Sequence, residues 1–105
     1  MNNLGQIMKQ AQKMQEKMQK IQQEIEVHEE EGSAGGGMVK ICLNGKNEVK
    51  SLKIDPSLID SKDTEMLEDL ITAAFNDAKK KMDSYSSEKM GALSAGLPGG
   101  LKLPF

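Results

Sequence analysis

The chain has no arginine, no tryptophan, one cysteine and one histidine among its 105 residues. Two Phe and one Tyr are its only aromatics. It therefore has little with which to stack unpaired bases, and Leu, Ile, Met and Ala must supply the core. Its eight methionines make that apolar surface soft and adaptable. Cys42 has no intrachain partner for a disulfide, which suits a reducing cytosol. A Ser-His-Asp arrangement would have to use His28, and zinc ligands at the usual spacing are missing. No apolar run approaches the ~18 residues of a membrane span. The first residues show no cationic start followed by an apolar block, so no secretory signal is expected.

The formal net charge is −2, but charge comes in blocks. Residues 1–23 hold four Lys and one Glu, and residues 24–31 hold five Glu. Residues 32–54 are basic again, residues 55–78 acidic, and residues 79–105 carry five Lys against two acids. An acidic chain can thus present basic surfaces.

Leu4, Ile7, Ala11, Met14, Met18, Ile21 and Ile25 recur at alternating spacings of three and four. This heptad seam predicts one long helix from about Asn3 to Glu26, with Asn3 as cap and Gln6 reaching back to it. Residues 27–34 are polar and acidic and read as an edge strand. Val39, Ile41 and Leu43 alternate with Lys40, Cys42 and Asn44, which predicts a second strand. Asn44-Gly45 is a strong hairpin signal. Val49, Leu52 and Ile54 form the return strand, and a slip of parity near Lys50-Ser51 predicts a bulge. Asp55-Pro56 ends it and opens a short helical turn. Asp60 or Ser61 then starts a second long helix, with Leu67, Leu70, Ile71, Ala74, Ala78, Met82 and Tyr85 on one face and fraying after Ser87. The order α-β-β-β-α gives an α+β fold: one domain over 1–88 and a Gly/Pro/Leu-rich tail over 89–105, mobile or docked as an irregular strand.

"GSAGGGMVK", residues 32–40, invites comparison with a phosphate loop. Gly32 and Gly37 have the right separation, but Met38-Val39 stand where Lys and Ser or Thr are required. A strand follows, so no helix N-terminus faces an anion. The glycines are better explained by a connection needing positive φ or close backbone approach. His28 beside Glu29, Glu30 and Glu31 lacks partner ligands and fits a solvated acidic edge. Cys42 has no nearby base and reads as a plain strand residue. The acids at the front of the second helix suit its dipole. No cofactor, metal, small-molecule substrate or enzymatic chemistry is indicated.

The lysines say more. Lys9, Lys13, Lys17 and Lys20 fall at heptad positions f, c, g and c, away from the apolar seam. They form a stripe roughly 16 Å long, within about 100° of one another. Lys79, Lys80 and Lys81 cluster on the second helix. A solvated face is the plain explanation; polyanion contact is the functional one. Bidentate reading of guanine is mostly an arginine task, whereas Lys suits phosphates, so duplex contact with little sequence preference is expected. A three-stranded sheet cannot cover two long apolar helix faces, which favours a homodimer.

These features together resemble the YbaB/EbfC family of bacterial nucleoid-associated proteins. "EGSAGGGMVKICLNGKNEVKSLKID", residues 31–55, is similar to that family's glycine-rich turn, strand, NGK hairpin and return strand. "LEDLITAAFNDAKKKMD", 67–83, resembles its second helix, and "KMGALSAGLPGG", 89–100, its tail. The resemblance implies a cytoplasmic, nucleoid-located homodimer of tweezer-like shape, whose helical arms bind double-stranded DNA and alter its conformation, with roles in nucleoid organisation and gene regulation. The matching basic positions on the arms are Lys9, Lys13, Lys17 and Lys20, then Lys79, Lys80 and Lys81. The alternative is a non-catalytic scaffold that docks partner helices on the Met-rich seam.

Overall fold

The structure, a computed structural model, describes residues 3–95. Six elements follow in order: α1 (Asn3–Val27), β1 (Glu29–Ala34), β2 (Val39–Asn44), β3 (Val49–Ile54), α2 (Pro56–Asp60) and α3 (Thr64–Ala95). The molecule is elongated, 75 × 22 × 16 Å. The expected α-β-β-β-α order holds, with a short α2 at the anticipated turn.

The strands form one antiparallel sheet in the order β1-β2-β3. Gly32 lies opposite Ile41 and Ser33 opposite Lys40; Lys53 is opposite Lys40 on the other side. Ser51 pairs with Cys42 and Val49 with Leu43, so Lys50 is the extra residue of the bulge that the parity slip anticipates. Strand alternation sends Val39, Ile41 and Leu43 inward and Lys40 outward. The inner face packs on α2 and α3, where Val39, Ile41, Leu58 and Ala74 form the buried centre and Leu67, Leu70, Ile71 and Phe75 surround it.

Two glycines allow this packing. A Cβ on Gly32 would lie 2.2 Å from the Ala78 backbone nitrogen, so α3 sits directly on the β1 backbone. A Cβ on Gly45 would lie 1.8 Å from the Ile25 carbonyl oxygen, where α1 meets the β2–β3 loop. That loop is the hairpin connection that Asn44-Gly45 signals. It spans residues 45–48, and Asn47 takes the left-handed conformation at φ 63°. The buried Asn44 organises it: its side-chain oxygen accepts from the backbone N–H groups of Lys46 and Glu48, and its amide donates to the Glu48 carboxylate at 2.8 Å.

Both ends of the second long helix differ from expectation. Asp60 closes α2, and Ser61 caps that short helix. Lys62 takes a left-handed turn at φ 60°, and Asp63 then caps α3 by accepting from the Met66 N–H at 3.0 Å. At the other end α3 passes Ser87 and runs to Ala95. Residues 89–95 of the expected tail are thus helical; residues 96–105 lie outside the described residues. The extension packs along α1, where Leu93 is buried beside the groove lined by Met14 and Ile21. The apolar seam of α1 is graded in burial. Ile25 is buried, Ile21, Met18 and Met14 are half-buried, and Ile7 and Leu4 are 58% and 67% exposed.

Candidate nucleic-acid interface

Three groups of lysines differ in their partners. The first is the α1 stripe. Lys9, Lys13, Lys17 and Lys20 are all exposed, and among the described residues none has a carboxylate within 4.0 Å. Glu16 and Glu24 lie one turn to either side of Lys20, but neither closes to ion-pair distance, and Glu24 pairs instead with Lys89. Lys17 and Lys20 flank a groove between α1 and α3 whose floor includes Met14, Ile21, Ala92 and Leu93. Their stems border apolar surface and their ammonium groups reach water.

The second group is the α3 cluster, and its charges are largely engaged. Lys79 pairs with Asp83 and Lys81 with Asp77, each one helical turn on or back. Lys81 also donates to the Glu31 carbonyl at 3.0 Å. Asp77 accepts from the Ser33 backbone N–H at 3.0 Å. That bond, with the Lys81 ammonium beside it, holds the Asp77 carboxyl below the usual carboxylate range. Lys81 and Asp77 therefore fasten α3 to β1. Lys80 borders a shallow groove with Glu30, Tyr85 and Glu88. The third group, Lys40 and Lys53, lies on the outer face of the sheet, opposite one another across β2 and β3.

The junction of α1, β1 and α3 holds an aromatic lock that the sequence did not reveal. The His28 ring stacks on Tyr85 with centroids 3.5 Å apart and planes 8° from parallel. His28 Nε2 lies 2.9 Å from Glu30 Oε1, as their shared strand parity suggests. Lys89 sits 5.6 Å from the Tyr85 ring centroid and 3.7 Å from Glu24 on α1. The only signal for this lock is the rarity of aromatic rings; fifty-seven residues separate its two rings. His28 is thus half-buried at a joint rather than part of a solvated edge. Burial first, then a hydrogen bond donated to Glu29, raises the Cys42 thiol pKa and disfavours the thiolate. Among the described residues no group of three His, Cys, Asp or Glu could hold a metal, and no helix is long and apolar enough to cross a membrane.

The model of the YbaB/EbfC DNA-binding family matches residues 1–97. The chain belongs to the YbaB/EbfC DNA-binding family. A nucleoid-associated protein of Granulibacter bethesdensis is 54% identical to it, covering 100% of both chains. One from Rhodospirillum rubrum is 50% identical at the same coverage. The crystal structure of an uncharacterized protein from Helicobacter pylori has the same fold, with a TM-score of 0.72 at 23% identity, covering 91% of this chain and 100% of that one. Bacterial YbaB/EbfC relatives thus match along the whole length, including the α1 segment whose kinship rests on character rather than motif.

Proposed function

We propose that this YbaB/EbfC protein is a nucleoid-associated protein of the cytoplasm that binds duplex DNA as a homodimer and alters its conformation, with roles in nucleoid organisation and gene regulation. The observation that carries the reading is the α1 stripe: four exposed lysines on one elongated helix, none ion-paired within 4.0 Å among the described residues. Each stripe neutralises phosphates and releases counterions. The α3 lysines contribute second, because Lys79 and Lys81 must share their charge with Asp83 and Asp77. Support for self-association comes from β3. It is an edge strand, its Val49 and Leu52 are 51% and 46% exposed, and Ile59 on the α2 turn that follows is exposed too. Such an edge is covered most simply by a second copy. Two stripes on one stiff body then bend or bridge the duplex.

With about six to eight phosphates engaged per dimer, log affinity falls against log salt with a slope of roughly −5 to −7. A gel-shift titration on random duplex measures it. Lys13→Glu with Lys17→Glu abolishes binding and leaves the dimer intact; retained binding refutes the stripe. The scaffold reading has one observation in its favour, the exposure of Leu4, Ile7 and Met8 on the same helix. It predicts no gel shift at low salt and capture of a partner through that seam.

A further inference from the structure

Among the described residues, the outer face of the sheet is a polar surface that the α1 stripe leaves unexplained. The three helices pack on the other face or against one another, as the burial of Val39, Ile41, Leu58 and Ala74 on that side shows. The cross-strand register sorts the outer face into rows. Glu31, Cys42 and Ser51 form one row. Ser33, Lys40 and Lys53 form the row nearest the glycine turn. Glu29 lies at the far end, opposite Asn44. Glu29 and Glu31 thus lie toward one end, where the Lys50 charge also acts on Cys42, and Lys40 and Lys53 form a purely basic pair at the other.

The basic row is unusual. Like charges directly opposite on antiparallel strands repel one another. Lys40 and Lys53 are both exposed, and among the described residues neither has a carboxylate within 4.0 Å to relieve that repulsion. The Lys40 stem runs close to Gly37, at the turn end of the face. Ser33 and Ser51, both exposed on this face, add hydroxyl donors. The cluster is short of one thing, an anion.

We propose that Lys40 and Lys53, with Ser33 and Ser51, form a second phosphate-contact site on the open sheet face, and that its occupant is the backbone of duplex DNA. Alone the face is too small to be a separate protein interface, and charge rather than size selects the occupant, a local phosphate contact that adds to the α1 stripe. Three strands of six residues present a face of about 20 × 14 Å, far below the ~800 Å² per partner of a stable protein interface. Charge complementarity then favours a phosphate at the basic row, while Glu29 and Glu31 repel the backbone from the other end. The proposal rests on the duplex-binding reading above and adds a surface separate from the α1 stripe.

The test uses the full chain, random-sequence duplex and a salt titration. Lys40→Gln with Lys53→Gln is paired with Glu29→Gln plus Glu31→Gln, and light scattering follows the assembly state of each. The lysine variant is expected to make the salt slope shallower by about 2, one phosphate lost per subunit. The glutamate variant is expected to tighten binding severalfold at the same salt. An unchanged slope in the lysine variant overturns the proposal, and if Lys13→Glu with Lys17→Glu still abolishes binding, the α1 reading survives. An unchanged slope with an altered assembly state overturns it in favour of contact between copies. Failure of the unaltered protein to shift DNA at low salt removes the duplex-binding reading and this site with it.

Discussion

Gly32→Ala is the sharpest probe of the joint between α3 and the sheet. The added Cβ would meet the Ala78 nitrogen at 2.2 Å, the Ala74 carbonyl oxygen at 2.3 Å and the Ala78 Cα at 2.7 Å. All three are backbone atoms of one helix, so no side chain can swing aside. Relief requires α3 to lift from β1 by about 1 Å, and a gap of that size forfeits a quarter to a half of each contact's dispersion energy. The loss falls on Ala74, Ala78 and Met82, all buried. Overpacking of this kind costs about 3 kcal/mol, against a total stability of roughly 5–15 kcal/mol. For a domain of this size that lowers the melting temperature by roughly 12–24 °C. Thermal unfolding followed by circular dichroism, at matched protein concentration, reads it directly. Gly36→Ala is the control. Gly36 has φ +68° with nothing within 4 Å, so alanine there meets only backbone strain, about 1 kcal/mol. A melting temperature for Gly32→Ala equal to or above that of Gly36→Ala would refute the claim that α3 rests on the bare β1 backbone.

Two further outcomes are expected. Asp77 has a carboxyl pKa depressed by the Ser33 N–H and Lys81, so its contribution is present above the unfolded value of about 3.9 and is lost as pH falls through the lower folded value; Asp77→Asn should reduce the steepness of acid unfolding below about pH 4, and an unaltered acid limb in a pH series of melting temperatures counts against the fastening role. Leu52→Glu places a charge on the exposed β3 edge and should convert the proposed homodimer to monomer in sedimentation velocity, while a variant that sediments as the unaltered protein does moves the interface elsewhere.

Local chemistry made much of the fold legible. The alternation of Val39, Ile41 and Leu43 against Lys40 and Cys42 marks a half-buried strand because side chains of a strand point to opposite faces. The parity slip at Lys50-Ser51 marks the bulge for the same reason, and Asp55-Pro56 marks α2 through a cap and a fixed φ. The misplaced boundaries have tertiary causes. Asp60 and Ser61 look like a helix start, yet Leu58 inserts into the core and makes them the end of α2 instead. Ser84 to Ser87 look like a fraying end, yet the neighbouring α1 keeps α3 helical to Ala95. The lysine stripe of α1 was legible because helix geometry alone puts positions 9, 13, 17 and 20 on one side. The engagement of Lys79 and Lys81 was only half legible: Asp83 and Asp77 are visible at helical spacing, but the Glu31 carbonyl is brought there by packing.

The sequence by itself determined the order of elements, the inward and outward faces of each strand and the side of α1 on which its lysines lie, because those follow from backbone periodicity. The tertiary structure alone decided which lysines keep free charge, that His28 meets Tyr85, that Lys40 faces Lys53, and that only the last part of the α1 seam is covered. Each of those depends on distances between residues far apart in the chain. Such distances are set by how closely α3 can approach β1, which Gly32 permits, and not by any pattern within a single element.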